Sequence, residues 1–333
     1  MMDAALICAL MIVFGIVMYV ILDGFDLGIG ILFPWAPADE SRNLMMSSIA
    51  PVWDGNETWL IYGGGILFAA FPKAFAVLLP ALYIPIMVML FALIFRGVAF
   101  EFRMKAKQSR WIWDTSFTVG SMLAAFAQGL IVGAVIHGFK VVDGRYAGGS
   151  FDWLTSFGIT CGFAMILAYA FLGAAWLVMK TGGATRDWAR SITRPLAVAM
   201  AGFLASISMK TPLEYHWIAE RWFSLPNFVY LSPIPLATVA LFVGLFRGLR
   251  LGRDRRPFYC AVGIFLLGFV GLAVSLWPYF VLPAMTFWQA AAPASSLNFV
   301  LVLVAISLPI TVGYTAFVYK IFRGKVKPEH SYY

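Results

Sequence analysis

The chain has 333 residues, of which 62% are hydrophobic and only 12% charged, with a formal charge of +8. Soluble globular chains carry about 25% charged residues, so this balance excludes a soluble protein and leaves an integral, polytopic membrane protein. A basic excess can mark nucleic-acid binding, but here the placement of the basic residues accounts for it as topology and contact with anionic lipid, with no nucleic acid required.

A membrane span needs about 20 mostly apolar residues. That rule predicts an all-α transmembrane helical bundle of nine spans, at 5–34, 54–72, 75–99, 112–138, 155–179, 190–209, 228–247, 258–282 and 297–320. The connections are short, so residues 1–333 are expected to form a single transmembrane domain. The start, Met1-Met2-Asp3-Ala4-Ala5, lacks a positive n-region and a cleavage site, so the first span is expected to stay as a signal anchor.

The first span carries the most informative stretch, Asp23-Gly24-Phe25-Asp26-Leu27-Gly28-Ile29-Gly30. Residues 5–22 alone cover roughly 27 Å at about 1.5 Å per residue, so Asp23 and Asp26 fall toward the far leaflet of a long or tilted helix. They are three apart and share a face. Gly24 and Gly28, four apart, form a small-residue strip for close helix approach. The second span opens with Trp53-Asp54-Gly55-Asn56-Glu57-Thr58-Trp59, on the same side, and Asp54 and Glu57 share a face in turn. Its Gly63-Gly64-Gly65 would admit another helix closely.

Nineteen of the 24 basic residues fall in alternate connections when the N-terminus is placed outside: Arg42, Arg96 to Arg110, Lys180 to Arg194, Arg247 to Arg256, and Lys320 to Lys327. The other connections hold only Lys73, Lys140, Arg145, Lys210 and Arg221. The excess predicts an outside N-terminus and a cytoplasmic C-terminus. Trp35, Trp111, Trp113, Trp153, Trp222, Trp277, Trp288 and Tyr319 lie near span ends, as an aromatic belt requires. Pro80, Pro85, Pro233, Pro235 and Pro309 imply kinks within spans. Cys8, Cys161 and Cys260 sit in spans without metal or disulfide spacing and read as small hydrophobes.

Intramembrane carboxylates are costly and usually functional. Burial and mutual repulsion disfavour ionising Asp23, Asp26, Asp54 and Glu57 together, the condition for a proton relay. The plainer reading keeps them interfacial, with Asp54 capping the second span and Asp23 or Asp26 paired to Arg42 or Arg96. Asp114 reads as a helix cap. The three histidines, His137, His216 and His330, include none placed mid-bilayer with a facing partner, so no haem ligation is expected in this chain. No phosphate loop or nucleophile triad is present. The residues alone describe a subunit that moves protons for chemistry done elsewhere, or, as a second reading, a proton-coupled transporter or channel with a first helix broken at Gly24–Gly30.

Several motifs carry a resemblance. Asp23-Gly24-Phe25-Asp26-Leu27-Gly28, the run Ser48 to Trp59 containing Trp53-Asp54-Gly55-Asn56, Gly64-Gly65-x-Leu67-Phe68-Ala69-Ala70, Phe95 to Arg103, Trp113-Asp114 and the late run Trp277 to Asn298 are similar to subunit II of cytochrome bd-type quinol oxidases. The resemblance is strongest over 20–121 and recognisable over 276–320, and the short length resembles the cyanide-insensitive branch. It implies a nine-helix, haem-free subunit of a quinol:oxygen oxidoreductase in the bacterial cytoplasmic membrane. It further implies a partner subunit I holding haems b and d and the quinol site, with small accessory subunits as further candidates. The resemblance also implies a cytoplasmic proton route at Asp54 and Asp26, with Glu57 and Asp23 beside it and Trp53, Gly55, Asn56, Trp59 and Arg96 in support.

Overall fold

The computed structural model describes residues 3–326. Lys327 and His330 lie outside the described residues. The elements are α1 (Ala4–Leu32), a 3₁₀ turn (Phe33–Trp35), α2 (Asp39–Ser47), α3 (Trp53–Ala70), α4 (Pro72–Arg103), α5 (Arg110–His137) and a hairpin of β1 (Val141–Val142) and β2 (Arg145–Tyr146). There follow α6 (Ser156–Lys180), α7 (Gly183–Glu214), the short α8 (His216–Phe223) and α9 (Asn227–Leu231), α10 (Pro233–Arg250) and α11 (Arg256–Leu276). A second hairpin of β3 (Tyr279–Val281) and β4 (Met285–Thr286) leads through α12 (Phe287–Ala290) to α13 (Ala294–Ile321). The fold is therefore an all-α polytopic bundle with two small hairpins.

Among the described residues, eight helical stretches are long and apolar enough to cross a membrane. The predicted second span, α3, is the exception. It is 18 residues long and spends its first turns on Asp54, Asn56, Glu57 and Thr58. The predicted eighth span overran its helix, because α11 ends at Leu276 and Trp277 precedes Pro278, which disfavours helical backbone at the residue before it. Conversely α4 runs past the predicted limit of 99 to Arg103. Arg96 and Arg103 are consequently not in a connection, as the count of basic residues assumed, but wholly buried inside α4.

Helix α1 is the axis of the bundle. It packs against α3, α5 and α6, with α13 lying against α1 and α3. Helix α4 covers α5, α7 and α11 cover α6, and α10 pairs with α11. From Asp23 to Phe33 every residue of the central segment is buried. Close approach makes this possible: a β-carbon on Gly28 would lie 1.9 Å from the Tyr169 carbonyl oxygen, and one on Gly173 would lie 2.6 Å from the Gly28 carbonyl carbon. In the predicted glycine triplet only Gly63 meets α1, near Ile12 and Ile16, whereas Gly64 and Gly65 have nothing within 4 Å. Cys8 and Cys161 are buried and Cys260 half-buried.

Side-chain ties fix which helix ends lie together. At one end Thr185 donates to Ser41 Oγ at 2.9 Å, Arg103 reaches Asn43 and Asp114, and Asp254 gathers Arg190, Arg186 and Lys325. The other end joins Trp288 to the Asp3 carboxylate, Lys73 to the Gln289 carbonyl and Phe139 N–H to the Leu282 carbonyl. Asp3 also caps α1. The Trp288 hydrogen bond holds the Asp3 carboxyl below its usual range. The connections rich in Arg and Lys thus share one end of the bundle.

Candidate functional site

Near the basic end, α1, α3 and α4 enclose a cluster of charges. Asp23, Asp26 and Arg96 are each fully buried. The Arg96 guanidinium donates through Nη1 to Asp23 Oδ1 at 2.6 Å and through Nη2 to Glu57 Oε1. Asn56, 1% exposed, donates from Nδ2 to Asp26 Oδ2 at 2.7 Å and to the Leu22 carbonyl at 3.2 Å, so one amide ties α3 to α1. The Tyr319 hydroxyl of α13 donates to Asn56 Oδ1 at 3.0 Å. Asp26 Oδ1 has no hydrogen-bond partner among the described residues. Glu57, with its side chain 26% exposed, forms the edge of the cluster.

Three carboxylates here face one guanidinium. Uncompensated charge is expensive in a low-dielectric interior, and a single guanidinium cannot balance three ionised carboxylates. One of these groups, Glu57, touches the surface.

A turn of α1 earlier, on the face of Asp23, stands Tyr19. Gln128 of α5 donates to its hydroxyl at 2.9 Å and accepts from Tyr169 of α6 at 2.5 Å. These three polar groups extend the cluster toward the other end of the bundle.

The sequence-derived residues separate into two sets. Asp23, Asp26, Asn56, Glu57 and Arg96 come together. Asp54 does not join them: it is exposed in the first turn of α3, one turn before Glu57. Of the two acids offered for pairing, Asp23 takes Arg96. Arg42 instead binds Asp39 at 2.8 Å and lies 4.0 Å from Asp114. Asp114 is not a helix cap, since Ser109 holds that place; it is the counter-ion of buried Arg103. Trp53 stacks on Phe100 with ring centroids 4.8 Å apart. Gly55 sits 3.8 Å, measured from an added β-carbon, from the Tyr314 ring. Trp59 is fully buried, edge-on to Phe14 at 5.6 Å.

Tyr319, Tyr19, Gln128 and Tyr169 were not singled out from the sequence as site residues. Gln128 inside an apolar span and Tyr19 one turn before Asp23 were the available signals. The contact of Tyr319 with Asn56 joins residues 263 positions apart and leaves no local trace.

Among the described residues no group of three or more His, Cys, Asp or Glu side chains could hold a metal ion. His137 ends α5 with Nδ1 3.3 Å from the Tyr215 hydroxyl, and the His216 side chain is 88% exposed beside Glu220. Neither faces a second histidine as an axial haem pair would.

Residues 4–322 match the family described as cytochrome bd terminal oxidase subunit II. The chain is 29% identical over 350 residues to the cytochrome bd-I ubiquinol oxidase subunit 2 of Escherichia coli K12, covering 93% of this chain and 92% of that one. It is 28% identical over 356 residues to a probable cytochrome oxidase subunit 2 of Haemophilus influenzae, covering 93% of each. A relative from Bacillus subtilis, cytochrome bd ubiquinol oxidase subunit 2, is 32% identical over 200 residues, covering 58% of this chain and 59% of that one. Among solved structures, a chain of the bd oxidase from Geobacillus thermodenitrificans shares the fold, with a TM-score of 0.76 at 16% identity, covering 97% of this chain and 99% of that one. Membership implies an integral membrane protein that works with a partner subunit as part of an oxidoreductase complex. The chain belongs to the cytochrome bd terminal oxidase subunit II family.

Proposed function

We propose that this chain is the haem-free subunit of a quinol oxidase in the bacterial cytoplasmic membrane, with its N-terminus outside, its C-terminus cytoplasmic and residues 1–333 forming one transmembrane domain. Its partner, subunit I, would hold haems b and d and the quinol site, and small accessory subunits are further candidate neighbours. The names of the Escherichia coli and Bacillus subtilis relatives support a quinol donor. The complex oxidises quinol toward the outer side and reduces dioxygen to water with protons drawn from the cytoplasm. Charge is thereby separated without pumping.

In this reading the chain stabilises subunit I and lines the proton route. Asp54, exposed at the basic end, is the receiving group. Glu57, one turn on and half-buried, passes the proton to the interior, where Asp23 and Asp26 hold it beside Arg96. Asn56 orients Asp26, Trp53 and Gly55 shape the start of α3, and Trp59 walls the route on its apolar side. The observation that carries the reading is the imbalance of two enclosed carboxylates and a third at the edge against one guanidinium. A purely structural ion pair would not enclose the unpaired Asp26 as well.

The test replaces Asp54 with Asn in the intact complex and measures quinol-dependent oxygen uptake together with haem content. The expected result is depressed uptake with normal haem. Full uptake with normal haem would remove Asp54 from the route, and joint loss of haem and uptake would assign it a structural role.

A further inference from the structure

At the basic end, a cavity of about 170 Å³ lies between the end of α6, the segment joining α2 to α3 and the tail that follows α13. Its wall includes Ser47, Ser48, Lys180, Tyr319, Arg323 and Lys325. Lys180 is 8% exposed, yet no carboxylate lies within ion-pair distance of it among the described residues. Its ammonium donates to the Phe322 carbonyl at 2.6 Å and rests 5.3 Å from the centroid of the Trp176 ring. An ammonium has three N–H donors. Among the described residues its partners are one carbonyl and one aromatic face, and a buried cation so placed is costly unless an anion completes the site.

The tail is arranged around that lysine. Phe322 accepts from the Lys180 side chain, and Val326 N–H donates to the Lys180 carbonyl at 2.8 Å. The chain reverses between them at Gly324, whose φ of +107° suits glycine. The reversal brings Arg323 and Lys325 to the same cavity. Arg323 makes no ion pair among the described residues. Lys325 binds Asp254 at 2.6 Å, but that carboxylate is already shared with Arg190 and Arg186. Among the described residues the cavity wall therefore carries three cations, with Ser47 and Ser48 beside them and no carboxylate.

We propose that this cavity binds a phosphate-bearing anion. The Lys180 and Lys325 ammonium groups and the Arg323 guanidinium, with the Ser47 hydroxyl beside them, match the several oxygens of a tetrahedral phosphate, which a single carboxylate would leave under-used; the Ser48 hydroxyl is already donated to the Met45 carbonyl. Two sources share that chemistry: the headgroup of an anionic phospholipid, as basic pockets at membrane surfaces take, and free inorganic phosphate. The proposal does not rest on the proton route, since none of Asp23, Asp26, Asp54 and Glu57 lines the cavity, although Tyr319 borders both.

The experiment uses the intact purified complex in three forms: unaltered, Lys180→Gln, and Arg323→Gln, the last on an exposed part of the tail where folding is undisturbed. Each is exchanged into detergent, incubated with phosphatidylglycerol, and its retained lipid counted by native mass spectrometry. In parallel each is titrated calorimetrically with inorganic phosphate. The unaltered complex is expected to hold one ligand more than Lys180→Gln, and Arg323→Gln to bind about tenfold more weakly. Retained phosphatidylglycerol identifies a lipid headgroup as the source, and saturable phosphate binding identifies the free anion. Equal retention in all three forms without phosphate binding overturns the proposal. If Lys180→Gln does not assemble, unchanged binding by Arg323→Gln overturns it alone.

Discussion

Arg96 is the residue on which the buried cluster depends. It alone offsets Asp23 and Glu57, and removing one partner of a buried ion pair typically costs about 3–5 kcal/mol because the other charge is left uncompensated. Arg96→Gln is therefore expected to lower the thermal midpoint of the assembled complex sharply, as followed by loss of its haem absorbance on heating. An unchanged midpoint would show that the carboxylates need no guanidinium. Tyr319→Phe removes a single hydroxyl from Asn56 and should cost about 1 kcal/mol, a small shift in the same assay. That Asp23 and Asp26 enter one cluster was legible because three-residue spacing fixes a shared helix face; the same spacing did not carry Asp54 into the cluster with Glu57. The choice of Arg96 over Arg42 was not, since it depends on how far α4 continues and on which helices meet across the bundle. The separation of exposed Asp54 from buried Asp26 is of the same kind: it follows from the docking of α3 on α1, which no local pattern encodes.

Helix packing gives a sharper contrast between neighbouring glycines. Gly28→Ala would drive a β-carbon into the Tyr169 carbonyl oxygen, and overpacking of that kind costs about 1–3 kcal/mol. Gly202→Ala, in α7 with nothing within 4 Å of the added atom, should be neutral or more stable by up to about 1 kcal/mol from helix propensity. Thermal unfolding of the two variants side by side checks the difference; equal midpoints would mean that α1 and α6 can separate freely. The Gly24 and Gly28 strip was readable from its spacing alone. Gly63, Gly64 and Gly65 looked equivalent in sequence, but only Gly63 meets another helix, because which side of α3 faces α1 is set by Asn56 and its bond to Asp26. The end of α11 was missed for another reason: residues 277–282 are apolar enough to extend a span, and only Pro278 marks the break.

Across the whole molecule, the basic connections gather at one end, and there Asp254 ties α7, the α10–α11 turn and the tail. Burial raises its proton affinity, but Lys325, Arg186 and Arg190 together outweigh that and hold its carboxyl below the usual range. A carboxylate held low in the folded state adds stability above its ordinary range and loses it as pH falls through the lowered value. Protection of the Val326 amide, measured as its exchange rate relative to the intrinsic rate at each pH, should therefore persist at neutral pH and fall only under acid, and Asp254→Asn should lower it throughout. Exchange insensitive to that substitution would contradict the tie. Composition and basic-residue placement were enough to read an all-α polytopic bundle, but not the tail's fold over Lys180, which joins residues far apart in the chain. The central claim, that enclosed carboxylates carry protons for the complex, is tested most directly with Asp26→Asn in the intact complex, measuring quinol-driven oxygen uptake against haem content. The amide preserves size and the bond from Asn56 while removing the titratable proton, so uptake is expected to collapse with haem retained; full uptake at full haem content would contradict the account.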